Sequence, residues 1–140
     1  VVSHVQTKRT LMKEDSIRQI MNAYDHLNVA LVGIGTADNT SSAFRSGYYS
    51  DEMKQQAVKD QVCGDICMHL FDKEGRTDCF PYNKQIVGVN LNKLKKVPYA
   101  IGIASGVRKA EAIRGAIKGG YINVLVTDAQ CGQALTRLND

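Results

Sequence analysis

The sequence predicts an α/β domain built on an open, mostly parallel sheet. Three apolar runs without polar alternation, at residues 29–34, 99–104 and 121–127, are typical of strands buried on both faces of such a sheet. Helical patterns follow the last two runs, which produces a βαβα order. The length of 140 residues, with 44% hydrophobic and 23% charged residues, fits one ordinary domain and excludes a coiled coil, a collagen or a disordered chain.

The N-terminal part is predicted to contain two helices and one buried strand. The opening residues are polar, and we assign them no element. Asp15 or Ser16 can cap a helix whose apolar positions fall at helical spacing, at Ile17, Ile20, Met21 and Tyr24. After the strand at 29–34, the polar residues 37–50 predict a long loop over a site, and residues 51–59 predict a second helix.

The middle of the chain predicts two further strands around a turn. Residues 62–72 and 85–90 have the composition of strands, and Lys73-Glu74-Gly75 between them is a good turn signal. We expect these two strands to pair or to lie close together. A short helix at 91–96 follows and is ended by Pro98.

The C-terminal part carries the clearest helix signals. One helix begins near Ser105-Gly106 and ends at Gly119-Gly120, which is a usual C-terminal signal. Its inner face is formed by Ala110, Ile113, Ala116 and Ile117. After the strand at 121–127, Asp128 caps the last helix, whose inner side carries Leu135 and Leu138.

Composition and cysteine spacing exclude several classes of protein. No apolar run approaches the about 20 residues that span a bilayer, and no signal peptide is visible, so we expect a cytoplasmic protein with no membrane partner. Cys63 and Cys67 are spaced C-x-x-x-C and form no ligand-spaced cluster with the three histidines. Neither a metal nor another cofactor is therefore predicted. The net charge of +4 is spread over single lysines and arginines, which favours a solvated surface over a nucleic-acid footprint.

The strongest chemical signal lies where the strand at 99–104 passes into its helix. In open α/β sheets, ligands bind beyond the carboxyl ends of the strands. Residues 104–109 place a glycine, a hydroxyl and two cations at a helix start, whose free N–H groups attract anions. Arg108 and Lys109 oppose the helix macrodipole there, at a cost of about 0.3–1 kcal/mol that a bound phosphate would offset. The alternative is that both cations extend into solvent while Gly106 only eases a tight turn.

Eight short motifs follow one another along the chain and cover almost all of it. The first four are S-I-R-x-I (16–20), A-L-V-G-I-G (30–35), F-R-S-G-Y (44–48) and G-D-I-C (64–67). The other four are F-D-x-x-G (71–75), I-V-G-V-x-L (86–91), K-A-x-A-I (109–113) and V-L-V-T-D (124–128). In this order and spacing, they resemble the effector-binding domain of the SorC/DeoR-type bacterial sugar-responsive transcription regulators.

The resemblance implies a fold and a set of partners. The fold is a Rossmann-like, mostly parallel α/β sheet flanked by helices, with a small lid, similar to sugar-phosphate isomerases and CoA transferases. Residues 1–140 correspond to the C-terminal part of the effector domain, without its first part and without the N-terminal helix-turn-helix. The implied partners are a phosphorylated sugar, operator DNA held only by the absent domain, and further copies of the chain in a dimer or tetramer.

The resemblance also assigns residues to a phosphate site. Lys109 matches the family's phosphate-contacting lysine. Ser105 and Gly106 match the turn that offers backbone N–H groups to the same phosphate. This assignment agrees with the residue chemistry, because charged hydrogen bonds to a dianionic phosphate are worth about 1.5–3 kcal/mol each.

Four further residues are assigned to the rest of the pocket. Asp65 matches an acidic position that accepts hydrogen bonds from sugar hydroxyls; the alternative is a turn carboxylate at the start of a strand. Arg45, in the polar loop, is a candidate second anion contact or a plain surface cation. Gly35 and Thr36 are expected to line the floor of the site.

Two functions follow from these residues. In the first, the chain is a sensor: a sugar phosphate binds at the strand ends, orders the loop at 37–50 and shifts an equilibrium between two states. In the second, it is a sugar-phosphate isomerase or deaminase, which needs a positioned acid and base. Asp65 could be one member of such a pair, but the sequence supplies no second member. We therefore predict a sensor and not an enzyme.

Overall fold

The structure is a computed structural model that describes residues 1–138. In chain order, its helices and strands are α1 (Val5–Leu11), α2 (Asp15–Ala23), β1 (Val29–Gly33), β2 (Gly35–Thr36), α3 (Ser42–Arg45), α4 (Asp51–Lys59), β3 (Val62–Ile66), β4 (His69–Asp72), α5 (Leu91–Leu94), β5 (Tyr99–Ile103), α6 (Ala110–Lys118), β6 (Val124–Val126) and α7 (Ala129–Arg137). Within the described residues, no helix is both long and apolar enough to cross a bilayer.

The predicted parallel sheet is present, with strand order β1-β5-β6. Leu31 lies opposite Ile101, which in turn lies opposite Val124. One face of this sheet contributes Ala30 and Ala100 to the main hydrophobic core, together with residues of α6 and α7. The fold class predicted from the sequence is confirmed. Within residues 1–138, the predicted burial on both faces is not observed, because one face exposes alternate side chains such as Leu31, Ile103 and Val126.

A second sheet is antiparallel, with strand order β2-β3-β4. The single strand predicted over residues 62–72 is wrong, because this run folds into a hairpin with Cys67 and Met68 at its turn. Both turn residues have left-handed backbones, with φ of 50° and 67°, which suits a tight hairpin turn. The strand predicted over residues 85–90 is also absent: a 3-10 helix occupies Pro81–Gln85, and the partner of β4 is β3.

The N-terminal residues form α1, where the sequence predicted no element. None of its residues is buried, so it lacks the apolar pattern that would have predicted it. The helix predicted after it is present as α2. Its N-cap is Glu14, which makes no side-chain capping bond, and neither Asp15 nor Ser16 has that role.

The polar segment between β2 and β3 forms a small lid with its own core. Phe44 and Tyr49 are buried there against Leu70 and Phe80. The Tyr49 hydroxyl donates a 2.5 Å hydrogen bond to the Met68 carbonyl, which attaches the lid to the hairpin turn. The small lid is therefore a packed unit and not only a loop.

The C-terminal helices agree with the prediction except at two apolar positions, Ile117 and Leu138. Ala110, Ile113 and Ala116 of the predicted inner face of α6 are buried, but Ile117 is 49% exposed because it lies at the edge of this buried face.

The Asp128 side chain accepts a 2.9 Å hydrogen bond from the Cys131 N–H and caps α7, as predicted. Leu135 packs against the core, whereas Leu138, at the helix end, is 38% exposed. The third parallel strand is shorter than predicted, because Tyr121 and Ile122 enter the core before β6 begins.

Candidate ligand-binding cleft

A cleft of about 410 Å³ opens at the carboxyl ends of β1 and β5. This is the edge of a parallel sheet where α/β domains bind their ligands. The residues that line it are Gly33, Ile34, Gly35, Ser42, Asp65, Ile103, Ala104, Ser105 and Lys109. The structure therefore brings together four of the predicted site residues, namely Gly35, Asp65, Ser105 and Lys109.

Lys109 supplies the positive charge of the cleft. It ends the short 3-10 turn at Val107–Lys109 that leads into α6. Its Nζ donates a 2.9 Å hydrogen bond to the carbonyl of Ile34, at the end of the β1 segment. An ammonium has three donors, so this bond orients the side chain without using its full capacity to bind an anion.

Asp65 supplies the negative charge and is buried. Burial raises the pKa of its carboxyl, while a hydrogen bond from the Met68 N–H and the charge of Lys109 act to lower it. Asp65 lies opposite Gly35 in the antiparallel register. A Cβ at position 35 would stand 1.8 Å from Asp65 Oδ1, so only glycine leaves space for this carboxylate.

Gly106 has a structural role that differs from the predicted one. Its φ of +95° is in the range that favours glycine. Its N–H is not available to a ligand in the cleft, because it donates a 2.5 Å hydrogen bond to Asp128 Oδ2. The same carboxylate caps α7, so Asp128 connects the ends of β5 and β6. Val107 and Arg108 begin the 3-10 turn, so their N–H groups have no carbonyl partner within it, but neither residue lines the cleft.

Arg108 connects the helix start to the lid, a contact the sequence did not predict. Its Nη1 donates a 2.7 Å hydrogen bond to the Thr40 hydroxyl. The Thr40 N–H donates in turn to Asp38 Oδ1 at 2.7 Å. Hydrogen bonds from Thr40 lower the pKa of Asp38, against the opposing effect of burial. The two adjacent cations thus point in different directions: Lys109 lines the cleft, and Arg108 contacts the lid.

Besides Gly106, two other predicted site residues, Thr36 and Arg45, are absent from the lining of the cleft. Thr36 is buried in β2 opposite Gly64, because successive strand residues point to opposite faces and Gly35 takes the cleft side. Arg45 lies at the exposed end of α3, where the burial of Phe44 turns it outward. The lid residue that does line the cleft is Ser42, and no feature of its polar segment distinguishes it in the sequence.

Together, the fold and the cleft define an α/β ligand-binding module whose ammonium, carboxylate and hydroxyl groups suit a hydroxyl-rich anion. The chain belongs to the family described as "Putative sugar-binding domain", whose model matches residues 1–137. This family assignment confirms the resemblance found in the sequence.

Named relatives are bacterial regulators. The chain is 35% identical over 135 residues to the deoxyribonucleoside regulator of Bacillus subtilis, covering 96% of this chain and 43% of the relative. It is similar to full-length SorC, the sorbitol operon regulator of Klebsiella pneumoniae, with a TM-score of 0.86, 30% identity, and coverage of 96% and 44%. These relatives are named as regulators and not as enzymes, in agreement with the non-enzymatic prediction.

A solved isolated domain is also longer than this chain. It comes from a possible sugar-binding transcriptional regulator of Arthrobacter aurescens, with a TM-score of 0.87 and 25% identity. The match covers 96% of this chain and 51% of that domain. The chain therefore spans less than half of its full-length relatives and about half of this domain.

Proposed function

We propose that the chain is the ligand-sensing part of a sugar-responsive transcription regulator and that its effector is a phosphorylated sugar. The observation that carries this proposal is the shared cleft of Lys109 and the buried Asp65. An ammonium suits a phosphate, and a carboxylate accepts hydrogen bonds from sugar hydroxyls. Ser42 and Ser105 add hydroxyl groups at the rim of the same cleft.

The proposal includes an allosteric output through the rest of the protein. Residues 1–140 form the C-terminal portion of the effector domain, and the first part of that domain and a helix-turn-helix that holds operator DNA lie outside them. The bond between Arg108 and Thr40 connects the helix start of the site to the lid. An effector that contacts both parts favours one lid position, and this differential affinity shifts the equilibrium of a dimer or tetramer on DNA.

Thermal unfolding of the full-length protein with a panel of phosphorylated and free sugars tests the proposal. An effector at about 100 times its dissociation constant adds about 2.7 kcal/mol of stability, which raises the melting temperature by several degrees. We expect this shift with one sugar phosphate and not with the matching free sugar.

Lys109→Ala is the diagnostic variant, and Lys118→Ala is its matched control. Lys118 lies at the other end of α6, the helix that Lys109 precedes, and it pairs with Glu74 on the surface, away from the cleft. Loss of a charged hydrogen bond worth about 1.5–3 kcal/mol weakens effector binding about tenfold to a hundredfold. Equal effects of the two variants, or no shift with any sugar phosphate, would contradict the proposal. Turnover of the sugar phosphate would instead establish an enzyme.

A further inference from the structure

A second cavity, of about 280 Å³, lies between α1, β4, α5 and the segment that joins the last two. It shares no lining residue with the cleft of Lys109 and Asp65. Pockets for drug-sized ligands measure about 300–1,000 Å³, so this cavity suits a smaller molecule. The polar side chains that line it include Lys8, His69, Asp78, Asn83, Lys84 and Asn90.

His69 brings an unused ring nitrogen to this cavity. Only 8% of the residue is exposed, and its Nδ1 lies 3.2 Å from the Cys67 carbonyl. A carbonyl only accepts hydrogen bonds, so the proton of the neutral ring is on Nδ1. Within the part of the chain that the structure describes, Nε2 makes no hydrogen bond. One nitrogen therefore holds the ring in place, and the other is left for a ligand.

The cavity carries an excess of positive charge. Lys8 and Lys84 line it, and Asp78 is the acidic group among its lining residues. Within residues 1–138, none of these three side chains belongs to an ion pair. Burial, and to a smaller extent the charge of Lys8, lowers the pKa of His69 against the effect of the Cys67 carbonyl. Burial also lowers the pKa of Lys8. An anion beside Lys8 and His69 would favour the charged form of both.

The other polar groups of the wall suit an oxyanion and not a metal ion. Asn90 Oδ1 accepts a 2.9 Å hydrogen bond from the Asn92 N–H, which leaves the Asn90 Nδ2 donors for the cavity. Asn83 Nδ2 donates to the carbonyls of Leu70 and Thr77, at 2.8 and 2.9 Å, so this residue only shapes the wall. Among the described residues, no three His, Cys, Asp or Glu side chains form a group that could hold a metal ion. The cavity thus offers ammonium and amide donors, which bind oxyanions.

We propose that this cavity is a second binding site, for a small oxyanion of the phosphate type. The oxygens of the anion accept hydrogen bonds from Lys8 and from His69 Nε2, and His69 takes up one proton from solvent when the anion binds. Because Lys8 belongs to α1 and His69 to β4, the anion joins the N-terminal helix to the hairpin sheet. This inference goes beyond the proposed effector and uses none of the cleft residues.

Calorimetric titration of the full-length protein with sulfate tests the site. Sulfate is a dianion that takes up no proton near neutral pH, so a proton bound during the titration belongs to the protein. Lys109→Ala is the background for every titration, since it removes the ammonium of the cleft, and chloride holds the ionic strength constant.

Lys8→Gln removes a cation of the cavity, and Arg9→Gln is its matched control. Arg9 is the next residue of α1, is exposed and does not line the cavity. We expect saturable sulfate binding that Lys8→Gln weakens at least about tenfold and that Arg9→Gln leaves unchanged. No saturable binding, or equal weakening by the two variants, overturns the proposal.

The number of protons bound with sulfate tests the part of His69. Titration at about pH 6 in two buffers of different ionisation enthalpy is expected to show proton uptake, and His69→Gln is expected to abolish it. Sulfate binding without proton uptake, or uptake that persists in His69→Gln, overturns the proposed contact with Nε2.

Two further titrants distinguish the sources of such an anion. Tighter binding of inorganic phosphate assigns the cavity to a free anion, and tighter binding of glycerol phosphate assigns it to the phosphate group of a larger molecule. Either result supports the oxyanion site. Because the cleft lacks its lysine and no sugar is added, failure of the effector proposal leaves these results unchanged.

Discussion

The two sheets of the protein differ in how completely their side chains are covered. All four residues of β4 are buried, including the polar His69 and Asp72. In β1, by contrast, apolar side chains alternate between the core and solvent. The hairpin sheet lies between the main core and the lid core, so both of its faces are covered within residues 1–138. The second face of the parallel sheet stays exposed within the same residues.

His69 and Asp72 of β4 are tolerated inside the hairpin sheet because each has a local partner. Asp72 Oδ1 accepts 2.9 Å hydrogen bonds from the N–H groups of Glu74 and Arg76, and Oδ2 accepts a 2.7 Å bond from Arg76 Nε. His69 Nδ1 lies 3.2 Å from the Cys67 carbonyl. Burial of these groups therefore leaves few unpaired polar atoms, which is the condition for polar residues inside a fold.

The same substitution in the two sheets gives the largest expected contrast. Leu70 is 1% exposed and Leu31 is 66% exposed. In the 140-residue chain, Leu70→Ala is expected to lower the free energy of unfolding by about 2–5 kcal/mol, and Leu31→Ala to change it by less than about 0.5 kcal/mol. Urea unfolding of both variants measures the difference.

The same two variants, Leu70→Ala and Leu31→Ala, can also be compared in the full-length protein. If further polypeptide covers the parallel sheet, Leu31→Ala becomes costly there while Leu70→Ala stays costly. If Leu31→Ala changes the free energy of unfolding equally little in the 140-residue chain and in the full-length protein, this face of the parallel sheet remains in solvent.

Asp72→Ala is expected to have the next largest effect. The variant removes three hydrogen bonds from a buried carboxylate and lowers the free energy of unfolding by about 2 kcal/mol near neutral pH. Burial acts to raise the pKa of Asp72, but hydrogen bonds and the charge of Arg76 outweigh it and hold this pKa below the usual value of 3.8. The stabilisation is therefore present above about pH 4 and is lost as the pH falls through the lowered pKa.

Urea unfolding across acidic pH measures this dependence. The stability difference between wild type and Asp72→Ala should shrink as the solution is acidified. A difference that stays constant below pH 4 would mean that packing, and not the ionised carboxylate, accounts for the loss.

His69→Gln is expected to have the smallest effect, visible only as a pH dependence. Burial lowers the pKa of His69 below its usual value of 6.5, against the bond to the Cys67 carbonyl. The unfolded chain therefore takes up a proton before the folded chain does, and wild-type stability falls as the pH drops below about 6.5. The glutamine variant should lose less stability between about pH 7 and pH 5. Parallel curves for the two proteins would contradict this account.

Elements with strong local signals were predicted well from the sequence. The apolar runs predicted the three parallel strands, and Asp128 predicted the start of α7 through its capping chemistry. The position of Lys109 after a strand predicted the side of the sheet on which the cleft lies. These features depend on residues close together in the chain, so a pattern in the sequence reports them.

Features that depend on distant partners were not predicted. The turn at Cys67 and Met68 contains no usual turn residue, and it is supported by the Tyr49 hydroxyl, 19 residues from Met68. The Gly106 N–H bonds Asp128, 22 residues away, and so is not presented to the cleft. Neither bond has a signature in the sequence around its donor.

By itself, the sequence determined the α/β class, the positions of the three apolar runs that form the parallel strands, and the residue types that the proposed effector site uses. Local propensity and periodicity carry that information, because each pattern spans only one or two elements. Only the tertiary structure decided which groups meet in the cleft. The approach of Asp65 to Gly35, the separation of Lys109 from Arg108, and the exposure of one sheet face all depend on packing between elements far apart in the chain.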